Sequence, residues 1–165
     1  MKKYVFKKYN DNYPKLFLKE KERLKRILPS SSKIEHIGST AVPGLGGKGI
    51  IDIMVGFKSK KEMKKYVELM EQNKYEIMPG FKPFGRISFK KICGFLFWKR
   101  RVHVHFAIFD GKLWKRNIKF RDNLMKKTLL VKKYEQIKKD AVKYARGEGK
   151  KYREYKEKFI KELTK

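Results

Sequence analysis

IEHIGSTAVPGLGGKGIIDIMV, residues Ile34 to Val55, is the stretch that decides how this chain is read. Two short runs rich in Ile and Val, Ile34–Ile37 and Ile50–Val55, have the length and β-branching of strands. Between them lies a loop of Gly, Ser, Thr and Pro, residue types that leave backbone N–H groups and hydroxyls uncovered. The second run carries one acid, Asp52, inside an otherwise apolar segment. Small donors followed by a lone carboxylate suit a phosphate held beside a metal ion.

Outward from this stretch, apolar spacing predicts the other elements. Tyr13 to Leu28 reads as an amphipathic helix with Pro14 at its start, and Ser59 to Gln72 as a second helix. Lys74–Met78 reads as a strand ended by Pro79-Gly80, and Ile87–Phe89 as another. Phe95–Lys99 and Arg101–Phe109 are the best remaining strand candidates, the latter closed by Asp110-Gly111. Beyond Leu113 the pattern is helical, in segments centred on Ile118–Met125 and Val131–Tyr144, with a last one carrying Tyr152, Tyr155, Phe159 and Leu163. Gly147 and Gly149 mark the break before it. Strands interleaved with early helices and followed by a helical section make an α+β class. No repeat or composition break divides the 165 residues, so one domain over 1–165 is expected.

Composition narrows the function. Hydrophobic content of 41% with 14% aromatics excludes a disordered polymer. Lys and Arg outnumber Asp and Glu by 45 to 17, a formal net charge of +28 that makes polyanions, nucleotide phosphates or nucleic acid, natural partners. Lysines are nevertheless spread along every helical segment rather than gathered in one tract. Cys93 is the only cysteine, which excludes an intrachain disulfide and fits a cytoplasmic location. The first residues lack the apolar core of a secretory signal, and no apolar run approaches the roughly 20 residues that span a bilayer. No membrane partner is expected.

Known phosphate loops can be tested against the stretch. Gly44 to Gly49 formally matches G-x-G-x-x-G, but a strand pattern follows it where the dinucleotide fingerprint needs a helix. A P-loop fails too, because Gly49 follows Lys48 where Ser or Thr is required. Nucleotidyltransferases of the polymerase-β type fit better. They set a Gly-Ser pair at a turn and a metal-binding acid on the next strand, the positions of Gly38-Ser39 and Asp52 here.

The segment Glu35–Leu45, with Lys48 and the run Ile50–Ile53, resembles the signature of the GrpB family, an uncharacterised group related to the nucleotidyltransferase fold. Other motifs agree in order along the chain: Tyr9, Pro14 and Phe17 near the start, His103-Val104-His105, Phe120 to Leu124, and Tyr155 to Ile160. The resemblance implies a nucleotidyltransferase-like mixed sheet with flanking helices and a helical C-terminal section. It also implies metal-assisted transfer on a nucleotide or related phosphate compound. Asp52 would be a metal ligand, Gly38, Ser39 and Thr40 a phosphate cradle, and His103 and His105 metal ligands or a base. The family's domain also occurs fused to dephospho-CoA kinase, so CoA precursors join the candidate ligands. The alternative is a catalytically degenerate protein that binds nucleotide, CoA precursor or RNA.

One departure bears on mechanism. Active transferases place a second carboxylate two residues after the first, on the same side of the strand. This chain has Met54 there. The neighbouring strand offers His103 and His105, both on the face opposite Val102, Val104 and Phe106. With Asp52 they would make a His/His/carboxylate site suited to a transition ion, whereas two Mg²⁺ ions want oxygen ligands. The reading requires these side chains to share one pocket.

The remaining candidates are weaker. His36 orients the loop or contacts phosphate, and Lys48 and Arg86 would neutralise phosphate, although a solvated surface role is the default for a cation in so basic a chain. An i, i+1 pair such as Arg121 and Asp122 is not expected to face one site. Phe95, Phe97 and Trp98 beside Lys99 to Arg101 would serve as an RNA stacking platform or, preferably, as core under the C-terminal helices. The Tyr-rich last helix is likewise read as core. Substrate, acceptor, metal identity and oligomeric state stay open at this level.

Overall fold

The computed structural model describes residues 6–79, 85–94 and 100–164. Helix α1, Tyr13–Ile27, begins with Pro14 in its first turn, where the missing N–H costs nothing, and buries Leu24 completely. Strand β1, Lys33–Ile37, leads through a single 3₁₀ turn at Ser39–Ala41 to β2, Ile51–Phe57. The periodic stretch expected as one helix forms two, α2 at Lys60–Lys65 and α3 at Val67–Gln72. The break falls at Tyr66, whose φ of −98° and ψ of 3° leave the helical region. Ser59 caps α2 by accepting from the Glu62 N–H at 3.1 Å. The expected strand after it shrinks to β3, Glu76–Ile77, because Lys74 turns at a φ of 65°.

Strand β4 runs Ile87–Cys93, longer than its short apolar core suggests, and β5 runs Arg100–Ile108. Three helices follow: α4, Lys112–Lys126; α5, Thr128–Ala145; and α6, Gly149–Thr164. The α5–α6 break uses Arg146 and Gly147 at φ of 43° and 96°. The expected strand Phe95–Lys99, its proposed aromatic platform, and the turn residues Gly80 and Pro83 lie outside the described residues.

The sheet has the order β1-β2-β5-β4-β3. β2 and β5 pair in parallel and the other neighbours are antiparallel. This is the α+β architecture, a mixed sheet with flanking helices and a helical C-terminal section. Alternation along the central strands sends Ile51, Ile53, Val55 and Phe57, with Val102, Val104 and Phe106, into one core under α1, α2 and α3. Phe106 packs between Phe57 and Phe89 at ring distances of 4.6 and 4.8 Å. The opposite face carries Asp52 and Met54 of β2, His103 and His105 of β5, and Ser88 of β4. Helix α4 covers one end of it through Leu113 and Trp114, against Ile37, Met54 and Ala107. Val42 and Leu45 of the Gly-rich loop pack into a further cluster with Leu124, Tyr134 and Phe159. The C-terminal helices therefore dock on the loop as well as on the sheet. Among the described residues no helix is long and apolar enough to cross a membrane.

Candidate functional site

Register brings the three principal candidates together. β2 and β5 are in parallel register with Asp52 opposite His103 and Met54 opposite His105, so side chains two apart on each strand share one face. Asp52 Oδ1 lies 3.5 Å from His103 Nδ1 and 3.5 Å from His105 Nε2. One ligand atom from each of the three falls within 4.8 Å of the others. The side chains stay partly open to solvent, at 28% for Asp52, 19% for His103 and 12% for His105. Burial alone would raise the Asp52 carboxyl, but the two facing imidazoles more than reverse this and hold it well below the ordinary carboxylate range. Burial pushes the His105 imidazole down, against the pull of Asp52.

His105 is oriented from behind. Its Nδ1 stands 3.0 Å from Ser88 Oγ, and Ser88 lies opposite His105 on β4. A partner on one ring nitrogen aims the other at Asp52, the arrangement that fixes a metal-binding histidine in other proteins. Sequence reasoning misses Ser88. The signal that could have found it is alternation, since it stands between the inward-facing Ile87 and Phe89 and must face the histidines.

Much of the loop after Thr40 is engaged in the fold. Ala41 and Val42 N–H bond back to Gly38 and Ser39 carbonyls, and Leu45 N–H to Val42. Gly47 exchanges both backbone bonds with Lys7, at 2.6 and 2.8 Å. Gly46 donates to Glu135 of α5 at 3.1 Å, and buried Lys138 of the same helix donates to the Gly46 carbonyl. A Cβ on Gly46 would meet the Phe6 ring at 2.4 Å. Gly46 and Gly47 thus serve close packing.

Gly38 takes a φ of 73° and ψ of −168°, a region essentially reserved for glycine, and a Cβ there would stand 2.6 Å from Asp52 Oδ2. The turn thus lies directly against the carboxylate. Ser39 points elsewhere, its Oγ lying under Gly47.

His36 and Thr40, expected to contact phosphate, are both engaged within the fold. Buried Thr40 donates its hydroxyl to the Ile50 carbonyl and stands 3.0 Å from His36 Nε2, both bonds internal. His36 also stacks on Phe17 at 4.6 Å, and burial pushes its imidazole down to about 4. It orients the loop as a neutral ring. Arg121 and Asp122 depart from expectation too. The guanidinium bends back to Asp122 at 2.8 Å while also reaching Glu35 at 2.7 Å and the His36 carbonyl at 2.9 Å. It ties α4 to β1 just before Gly38.

Lys48 and Arg86 are not the solvated cations that a Lys-rich chain suggests. Both are half-buried, and both feel the Asp52 carboxylate. Burial, with Lys156, Arg101 and Arg153 nearby, lowers the Lys48 amine to about 7. Arg86 Nε is buried without a hydrogen-bond partner among the described residues. Tyr152 of α6 is core, as expected, yet the Lys48 and Lys156 ammoniums each stand 4.2 Å from its ring centroid.

Comparison with known proteins identifies the family. The GrpB protein family matches residues 4–165. The Glutamate-rich protein GrpB of Alkalihalophilus pseudofirmus is 33% identical over 158 residues, covering 94% of this chain and 90% of its own. A crystal structure of the conserved protein GrpB from Enterococcus faecalis superposes with a TM-score of 0.82 at 30% identity, over 97% of this chain and 94% of that one. Cid1 poly(U) polymerase shows a much looser likeness, with a TM-score of 0.44 at 17% identity over 80% of this chain and 45% of its own. With a family match across nearly its whole length and relatives of the same extent, this chain belongs to the GrpB family.

Proposed function

We propose that the protein is a metal-assisted transferase of the nucleotidyl-transfer kind, acting on a nucleotide or related phosphate compound at Asp52, His103 and His105. The observation that carries the reading is the convergence of these side chains, from two strands, within 4.8 Å. Two imidazole nitrogens and one carboxylate oxygen suit a single Zn²⁺- or Mn²⁺-like ion better than a pair of Mg²⁺ ions. The Ser88 contact behind His105 also fits a metal ligand. Such an ion, when bound, would supply positive charge to a phosphate oxygen.

The chain's own groups complete the environment. Asp52 stays ionised at any physiological pH. Lys48 and Arg86 bring positive charge toward the same carboxylate. Gly38, with no side chain, lets the turn pack directly against Asp52 Oδ2 and hold the carboxylate in place.

A second reading rests on Met54. It is 1% exposed and packed into the cluster with Trp114, where a second catalytic acid would stand in an active transferase. That burial favours a protein that binds nucleotide, CoA precursor or RNA without turnover. Calorimetric titration with Zn²⁺, Mn²⁺ and Mg²⁺, with thermal shift against nucleotides and CoA precursors, tests both. Selective metal and ligand binding lost in Asp52→Ala supports the site, and turnover of a bound nucleotide supports the enzyme. Ligand binding that survives Asp52→Ala without turnover favours the second reading, and no binding of any metal overturns the first.

A further inference from the structure

We propose that helix α6 forms a polyphosphate subsite over the Asp52 centre, in which Lys156 and Arg153 act with Lys48 and Arg86 on a ligand bearing two or more linked phosphates. The inference rests on reading the Asp52 centre as a phosphate site and narrows what that site accepts. Lys48 comes from the Gly-rich loop and Lys156 from the last helix, yet both ammoniums stand 4.2 Å from the centroid of the same buried Tyr152 ring. Two cations placed on one ring, on the same or opposite faces, repel each other, and Lys156 weakens the protonation of Lys48, an arrangement that favours an anionic ligand. Arg153 is near enough to Lys48, Arg86 and Lys156 to weaken the protonation of each. Arg86 keeps a buried Nε with no hydrogen-bond partner among the described residues.

The attraction of Asp52 reaches Lys48, Arg86 and Lys156, and Glu157 adds to it at Lys156. Glu157, the next acid on α6, is already engaged by Arg116 at 2.6 Å. The cluster thus holds an excess of positive charge that a single phosphate would leave uncompensated, and a bound divalent ion would enlarge that excess. A di- or triphosphate matches it. The ring of Tyr152 fixes two of the cations in place, so little side-chain freedom is lost when the ligand arrives.

The test uses the full chain stripped of metal over a chelating resin. Inorganic phosphate, pyrophosphate and tripolyphosphate are titrated calorimetrically at one salt concentration. Tripolyphosphate should bind at least about thirtyfold more tightly than phosphate, and Lys156→Gln and Arg153→Gln should each weaken it about tenfold. Lys158→Gln, an exposed lysine on the same helix, should change it less than about twofold. Arg153 is exposed, so its variant keeps the fold even if the Lys156 variant does not.

Equal binding of the three anions, or equal losses for Arg153→Gln and Lys158→Gln, overturns the subsite. A nucleoside triphosphate that binds more tightly than tripolyphosphate assigns the ligand to nucleotides; equal binding assigns it to the phosphate chain itself. Zn²⁺ titration of the same variants without phosphate should be unchanged. If Zn²⁺ fails to bind while tripolyphosphate is still preferred, the metal reading falls and the subsite stands. Zn²⁺ binding without that preference overturns the subsite and leaves the metal reading standing.

Discussion

Gly38→Ala perturbs the junction between loop and carboxylate, and Gly44→Ala supplies the matched control. Both glycines have nearly the same positive φ, 73° and 74°. Around Gly44 an added Cβ meets nothing within 4 Å, whereas at Gly38 it meets Asp52 Oδ2 at 2.6 Å. The control therefore suffers backbone strain alone, about 1–2 kcal/mol. Gly38 adds two penalties. Its ψ of −168° places it where a side chain costs about 1–3 kcal/mol. The overlap must also be relieved by moving the turn or turning Asp52 from its histidines. Gly38→Ala should thus be less stable than Gly44→Ala by about 1–2 kcal/mol, a urea midpoint lower by roughly 1 M for an m-value of about 1–3 kcal/mol/M. Because metal ligands tolerate only small displacements, Zn²⁺ affinity should fall at least about tenfold in Gly38→Ala and stay unchanged in Gly44→Ala. Equal urea midpoints, with wild-type Zn²⁺ binding in both variants, would refute the argument that Gly38 is required by its contact with Asp52.

Two further predictions concern the supports of the site. Lys138 is 3% exposed and burial lowers its amine to about 7 from the ordinary 10.5, so the unfolded chain binds more protons between those values and stability rises with pH across that window. Lys48 and Lys156, lowered to about 7 and about 8, act in the same direction. The Lys138 share is at most about 5 kcal/mol, and Lys138→Met should flatten the plot of urea midpoint against pH between 7 and 10; an unchanged slope would contradict it. Arg121→Lys cannot reproduce the bonds to Glu35, Asp122 and the His36 carbonyl together, and should cost about 1–3 kcal/mol in chemical denaturation. A lysine variant as stable as wild type would show that the guanidinium fork does not secure β1 to α4.

Much of the fold was legible because it rests on local periodicity. The Ile- and Val-rich runs around the loop, the alternation through His103 and His105, and the apolar stripes of α1 and the C-terminal helices each declare themselves within a few residues. Misreadings arose where distant contacts override local pattern. The α2–α3 stretch has one helical period but breaks at Tyr66. Glu20 looks like another charge on a Lys-rich helix, yet it is 2% exposed, accepting from the Tyr75 hydroxyl and from Arg23 at 2.8 Å. Thr40 and His36, read as phosphate contacts, also stand 3.0 Å from each other.

The sequence by itself determined the α+β class, the family, the loop beside Asp52 and the face on which both histidines stand. These follow from spacing along one strand or turn, and spacing is a property of the chain. Tertiary structure alone decided that Asp52, His103 and His105 meet, because parallel register between β2 and β5 is set by the packing of their apolar face. It also tied the Gly-rich loop to distant elements. The Gly46 and Gly47 N–H groups are taken by Glu135 and Lys7, residues far away in sequence that no local pattern pairs with them. The meeting of Lys48 and Lys156 on the Tyr152 ring is tertiary too, since α6 reaches Lys48 only once the helices have docked on the loop.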